Sequence, residues 1–345
     1  MVLRRCLVLL SVSLSLAGFA ASAAAQGRIV VETLHSRALE GNAIGDTTDR
    51  RITIYLPPSY DRDAARRYPV AYLLHGATSD PQEWLDGTYQ GLNLREALDR
   101  RASLAEYIVV MPHADNSFGG SFYVNSAAFG RWEDVIVTEL VRFVDGRFRT
   151  LPVRESRALA GQSMGGFGAL YLAGRHADTF GHVYAMSACC LGFVGDLAPE
   201  GNRWREPRGW LRAMAAAFAP GPSHDPAGAP MPFAARPDGV MREVSTVARA
   251  WSEYLPLPRL MRDPAPYRRL CTIALEAGRQ DEITNVPQGA AAFSRELERA
   301  GIRHTLDEFT GGHTDRTRER FETAVLPFFA RVLATQDREG TCAVK

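Results

Sequence analysis

Residues 159–168 read Leu-Ala-Gly-Gln-Ser-Met-Gly-Gly-Phe-Gly, so Ser163 stands at the centre of a Gly-x-Ser-x-Gly pentapeptide. A serine hydroxyl is a weak nucleophile at neutral pH until an imidazole accepts its proton and a carboxylate fixes the tautomer of that imidazole. The pentapeptide presents the hydroxyl in a specific way. At a sharp strand-to-helix turn the central serine is forced into a strained backbone conformation. Glycines two before and two after it, here Gly161 and Gly165, remove the side chains that would strike the adjoining strand and helix. The flanks have the character this turn needs. Residues 156–160 end in a short apolar run, and Phe167 to Ala173 places small and apolar residues at helical spacing. Those flanks separate a nucleophile elbow from a plain Gly-rich turn, which a chain with 30 glycines also produces.

The remaining parts of such a site have a fixed order. Where an elbow carries the nucleophile, the acid follows it in the chain and the histidine follows the acid. Of the eight histidines only His304 and His313 lie far enough along. His304 begins a strand pattern, whereas His313 follows Thr310-Gly311-Gly312 after a strand that ends near Phe309, where a loop can present an imidazole. For the acid, Asp281 follows the strand Thr272-Ile273-Ala274-Leu275 through a short Gly278-containing loop. Glu282 is its nearest rival, and a helix cap is the plain alternative role for Asp281. Glu276, Asp307 and Glu308 fall inside strand patterns and rank lower. Negative charge on the attacked carbonyl needs two aimed N–H donors. Met164, directly after the serine, supplies one, and Ala77, after the strand that ends in His75-Gly76, is the natural second. His75 itself reads as a structural hydrogen-bonding residue.

The elements that must hold these residues alternate. Residues 27–36 and 51–56 read as an antiparallel edge, the second segment stopped by Pro57-Pro58. Continuous apolar runs at 69–76 and 107–112 read as strands buried on both faces. Helical spacing covers 92–102 and 133–148, followed by strands at 182–187, 271–277 and 303–309 and helices at 286–300 and 317–334. This alternation predicts an α/β fold, a mostly parallel central sheet with helices on both faces. Residues 191–266 break the rhythm. They are rich in Pro, Gly and Ala with Trp204, Trp210 and Trp251 scattered through them, and read as an insertion between two sheet strands. A cap over the site is one reading and a peripheral decoration the other. The tryptophans either line an acyl pocket or pack within the insertion.

Bulk properties narrow the partners. Forty basic and 39 acidic residues leave a net charge of +1, which provides no field to hold nucleic acid. Hydrophobic residues are 46% of the 345, enough for one large core. Arg4-Arg5, the apolar stretch 7–20 and Ala23-Ala24-Ala25 read as a secretory signal over 1–25, cleaved after Ala25, which predicts a secreted or periplasmic domain over 26–345 with no membrane span. An uncleaved anchor is the alternative, and the paired arginines also permit twin-arginine export. Export permits disulfides among Cys189, Cys190, Cys271 and Cys342. We expect Cys271 to pair with Cys342, pinning a polar tail to a core strand; the alternative is that all four are free. No cysteine has metal-ligand spacing, and the chemistry calls for no cofactor and no metal. Oligomeric state is not legible.

With these residues located, the chain resembles an esterase family of the α/β-hydrolases. That family holds esterase D-like S-formylglutathione hydrolases, feruloyl esterases, siderophore esterases and secreted mycolyltransferases. The resemblance runs from about 51 to 334. It rests on Tyr72-Leu73-Leu74-His75-Gly76, Ser121-Phe122-Tyr123-Val124-Asn125-Ser126, Trp132-Glu133, residues 160–172 and Gly311-Gly312-His313. It implies an α/β-hydrolase fold and a serine esterase acting on a small-molecule or glycan ester, with Ser163, Asp281 and His313 as triad and Ala77 and Met164 as oxyanion donors. Acyl transfer to a sugar or another alcohol, or a binding module without catalysis, are the competing functions. The insertion and the Cys189-Cys190 pair have no counterpart in that resemblance.

Overall fold

Side-chain alternation along the central strands decides the layering. In a computed structural model, which describes residues 26–221, 228–335 and 342, strand β3 (Val70–Leu74) is buried along its whole length. Val70, Tyr72 and Leu74 enter one hydrophobic core, while Ala71 and Leu73 enter a second on the opposite face. Strand β4 (Ile108–Pro112) divides the same way, Ile108 and Val110 against Val109 and Met111. A strand apolar on both faces demands cover on both, which is why the sequence reads as unbroken apolar runs here. The signal reading at 1–25 lies outside the described residues. No described helix is long and apolar enough to cross a membrane.

Eight strands form the sheet. Besides β3 and β4 these are β1 (Arg28–His35), β2 (Asp49–Leu56), β5 (Arg157–Gln162), β6 (His182–Met186), β7 (Thr272–Gly278) and β8 (Thr305–Phe309). Their order is β1-β2-β4-β3-β5-β6-β7-β8. β1 pairs antiparallel with β2 and β2 antiparallel with β4, and every later pairing is parallel. The expected antiparallel edge and parallel body are both present. The strand expected from 303 begins at Thr305, and the helix expected over 133–148 runs from Trp132 to Arg147 with a π-helical stretch, Val135–Leu140, inside it.

Residues 191–266 connect β6 towards β7. Within them lie helices α4 (Trp210–Phe218), α5 (Ser245–Ser252), α6 (Pro256–Arg262) and a two-stranded hairpin of Phe233–Ala235 and Met241–Glu243. Trp251 is fully buried and packs edge-on to Trp204 at 5.7 Å and to Phe218 at 5.4 Å, with Phe193 and Phe233 completing the cluster. Packing, the second of the two roles open from sequence, therefore absorbs Trp204 and Trp251. Trp210 is half-buried with the Arg203 guanidinium over its ring. The segment also reaches the main body. Phe218 stacks on Phe167 of helix α3 (Met164–Arg175), and the Tyr254 hydroxyl donates to the Asn125 carbonyl. Cys271, just before β7, is bonded to Cys342, the pairing expected from sequence.

A buried carboxylate ties α3 to helix α2, the run that starts at Trp132–Asp134. Glu133 accepts from the Tyr171 hydroxyl at 2.9 Å, from Arg175 Nε at 2.7 Å and lies 2.6 Å from His176 Nε2. Burial pushes this carboxyl up, but the hydrogen bonds from His176 and Arg175 and the Arg175 charge outweigh it and bring it down to about 2. A carboxylate held below its unfolded value stabilises the fold above that value and loses the contribution as pH falls through the folded one. Wild-type stability is therefore expected to decline between about pH 4.5 and pH 2 more steeply than that of Glu133→Gln. At neutral pH Glu133→Gln should cost about 2–3 kcal/mol. Denaturant midpoints measured across pH for both proteins check the slope and the offset.

Candidate active site

Crowding of backbone against backbone shapes the turn after β5. A β-carbon on Gly161 would lie 2.3 Å from the Gly165 carbonyl oxygen, and one on Gly165 would lie 1.9 Å from the Leu74 oxygen. Both distances are impossible, so the two flanking glycines are required by contact as well as by pattern. Ser163 takes φ 57 and ψ −115, a conformation that costs a non-glycine residue about 1–3 kcal/mol. Its own backbone is held: Ser163 N–H donates to the Met186 carbonyl at 3.0 Å, and its carbonyl accepts from Phe167 N–H at 3.0 Å and Cys189 N–H at 3.3 Å. Its neighbours Gln162 and Met164 are buried, and Ser163 is partly exposed.

The acid and the histidine arrive from the next loops along the sheet. His313 Nδ1 lies 2.7 Å from Asp281 Oδ2, and the Asp281 side chain is wholly shielded from solvent while that of His313 is 10% exposed. Asp281 Oδ1 also accepts from Ile283 N–H at 2.9 Å, so the carboxylate performs the turn-capping role and the histidine contact together. The loops meet because Gly278, the last residue of β7, has no side chain; a β-carbon there would lie 2.3 Å from the Gly311 oxygen. Gln280 N–H then donates to Gly311 and Arg279 N–H to Phe309. Glu282 lies beside Gly312 and is not bonded to the imidazole. His304 is spent elsewhere, with Ser294 at 2.6 Å and the Ile302 carbonyl at 3.0 Å. Glu276 is buried against Arg320 and the Tyr184 hydroxyl, and Asp307 also pairs with Arg320.

On the other side of the serine, Met164 opens α3 and Ala77 follows β3, the strand paired with β5. Among the described residues neither of their N–H groups has an acceptor. The loop of residues 116–120 backs them: Thr78 N–H donates to Gly119, and a β-carbon on Gly120 would lie 2.3 Å from Met164 Sδ and 3.8 Å from Ala77 Cα. Asn116 Oδ1 accepts from Phe118 and Gly120 N–H and fixes that loop. His75 is fully buried, donating from Nδ1 to the Gly76 carbonyl and accepting at Nε2 from Ala114 N–H. Burial drives its pKa down to about 4, so it stays neutral and structural. An open polar cavity of about 450 Å³ flanks this loop, lined by Arg50, Arg51, Asp80, His113, Asp115 and Asn116 among others.

One residue escaped the sequence reading. Gln162, the variable position before the serine, accepts from the Tyr89 hydroxyl at 3.0 Å and donates through Nε2 to the His313 carbonyl at 3.4 Å. It has room because Gly76 lacks a side chain; a β-carbon there would lie 2.9 Å from Gln162 Oε1. Gln90 Nε2, next in the chain to Tyr89, reaches Thr314 Oγ1 at 3.3 Å. The loop after β3 thereby grips the histidine loop from the far side of the serine. The only sequence signal for Gln162 is its place in the pentapeptide.

An elbow at the carboxyl end of a parallel strand, followed by an acid and a histidine at later strand ends, defines the α/β-hydrolase class. The chain belongs to the family described as "Putative esterase", whose model matches residues 44–326. Esterase Rv1288 of Mycobacterium tuberculosis is 34% identical over 138 residues, a stretch that covers 40% of this chain and 28% of the relative. Among solved structures, a ferulic acid esterase superposes with a TM-score of 0.64 at 24% identity, covering 89% of this chain and 98% of the other. An S-formylglutathione hydrolase from Agrobacterium tumefaciens gives 0.61 at 17%, covering 92% and 97%. These likenesses carry the fold, and the family model carries the membership; the chain spans about a quarter of the length of the curated relative it matches.

Gln162→Leu removes the bond to the His313 carbonyl and the bond from the Tyr89 hydroxyl while keeping the volume. It is expected to lower kcat on a short nitrophenyl ester about tenfold with little change in KM. Tyr89→Phe combined with it should add less than the product of the two single effects. A steady-state double-mutant cycle measures both.

Proposed function

We propose that this protein is a serine carboxylic-ester hydrolase that works through an acyl-enzyme. Ser163 attacks the ester carbonyl, His313 takes the hydroxyl proton through the nitrogen not facing Asp281, and Asp281 holds the imidazole and stabilises its charged form. The N–H groups of Ala77 and Met164 receive the charge that develops on the carbonyl oxygen. His313 then returns the proton to the departing alcohol, and water, activated by the same imidazole, releases the acid. The observation that carries this reading is the shielded Asp281–His313 hydrogen bond at 2.7 Å, on loops that follow β7 and β8 of the same sheet whose β5 ends at a serine in a strained turn enforced by two glycines. A carboxylate on Nδ1 leaves Nε2 as the base, the tautomer that the chemistry needs.

The substrate we propose is an ester whose alcohol is a small molecule or a glycan. This substrate class follows the resemblance of the sequence to the esterase family and the match to its model. The cap reading of residues 191–266 and action outside the cytoplasm belong to the same proposal. The export reading rests on the sequence of residues 1–25 and is supported by the Cys271–Cys342 bond, which suits an oxidising compartment.

Ser163→Ala is expected to abolish hydrolysis of short nitrophenyl esters and labelling by a fluorophosphonate while the thermal unfolding midpoint stays close to wild type. Asp281→Asn should lower kcat by roughly 10³–10⁴-fold. Turnover within tenfold of wild type in either variant contradicts the assignment. Gel fluorescence of the labelled protein and steady-state rates read both.

A further inference from the structure

The cysteine pair after β6 has no part in the chemistry above. Cys189 and Cys190 are adjacent in sequence and buried, and their sulfurs lie 2.6 Å apart. Both thiols are free, and the Cys190 thiol donates to the Cys189 sulfur, so the two sulfurs already face each other where a bond of about 2.05 Å would join them. Cys190 has φ 64 and Ser187 φ 41, so the turn 187–190 departs twice from the backbone conformations that side-chain-bearing residues prefer. The turn is also the nucleophile's mooring. Ser163 N–H donates to Met186, Cys189 N–H donates to the Ser163 carbonyl, and Cys190 N–H donates to Asn285 Oδ1 at 2.8 Å. Asn285 begins helix α8 (Asn285–Arg299), which follows the Asp281 loop. A β-carbon on Gly166 would lie 2.9 Å from Ala188 Cα, so the first turn of α3 rests directly on this segment.

We propose that Cys189 and Cys190 form a redox modification site that closes to a vicinal disulfide and locks the turn whose Cys189 N–H donates to the Ser163 carbonyl. Closure breaks two S–H bonds and forms one S–S bond. Two electrons and two protons pass to an external disulfide, which is reduced to two thiols. Cys189, 5% exposed where Cys190 is fully buried, attacks that disulfide and carries the mixed intermediate; the Cys190 sulfur then displaces the remaining thiol. The Cys271–Cys342 bond and the export proposed above both place the pair in a compartment where disulfides form. The effect on turnover rests on reading Ser163 as the nucleophile, whereas the existence of the bond does not.

The test uses the full chain exported to an oxidising compartment, with a Cys271→Ser/Cys342→Ser variant beside it. Denatured and alkylated without reductant, both proteins are expected to leave Cys189 and Cys190 unmodified. The peptide that carries them should weigh two hydrogens less than its reduced form, and a dithiol reductant should make both sulfurs alkylate. In the double variant, where the vicinal pair is the one disulfide left, reduction should lower kcat on a short nitrophenyl ester about tenfold with KM unchanged. Reoxidation with a small disulfide should restore it. Alkylation of both sulfurs in the unreduced protein, or a crosslink from either to Cys271 or Cys342, overturns the site. A vicinal bond whose reduction leaves kcat unchanged overturns its hold on Ser163. Absence of fluorophosphonate labelling in both redox states overturns the nucleophile reading and is distinct from the mass result.

Discussion

The contact between three pieces of backbone governs this molecule: the ends of β3 and β5 and the first turn of α3 approach so closely that no side chain fits between them. Gly165 lies against the Leu74 and His75 carbonyls, and Gly161 against the Gly165 and Leu74 carbonyls. A β-carbon at either position would have to push apart strands that are buried on both faces. That closeness fixes Ser163 in its strained conformation and turns the N–H groups at the start of α3 towards the same space. The strain is sustained because both faces of the sheet are covered by separate cores, which share the strands residue by residue.

The same device recurs around the site. Gly278 allows the histidine loop to lie across the acid loop, Gly76 makes room for the Gln162 amide, and Gly120 admits the Met164 thioether behind Ala77. Each glycine marks a close approach of two segments, and at Gly120 the loop also turns through a φ of 141. Hydrogen bonds then fasten the contacts, from Gln280 to Gly311, from Gln162 to the His313 carbonyl and from Thr78 to Gly119. In the proposed mechanism the serine, the base and the oxyanion donors are positioned by one connected set of backbone contacts.

The sheet was legible in the sequence because buried parallel strands leave long apolar runs, as at Val70–Leu74 and Ile108–Pro112. The positions of Ser163, Asp281 and His313 at strand ends were legible because chain order constrains them. Other features left no local signal. Gln162 works through partners 73 and 151 residues away, and nothing in its neighbours announces either bond. Glu133 looks like a helix-surface acid until Arg175 and His176 arrive from another element. The π-helical stretch Val135–Leu140 keeps ordinary helical spacing in sequence. Within residues 191–266 the weak helical run Trp210–Phe218 was legible and is helix α4, but the packing of the segment was not, because its short helices surround an aromatic cluster assembled from distant positions, Phe193, Trp204, Phe218, Phe233 and Trp251.

The proposed mechanism turns on a covalent ester at Ser163. The most direct measurement is mass spectrometry of the protein quenched with acid within its first turnovers on a short-chain nitrophenyl ester, followed by peptide mapping. The acyl mass is expected on the peptide that contains Ser163 and on no other. Rapid turnover with no acylated peptide, or an acyl group carried by a different residue, contradicts it.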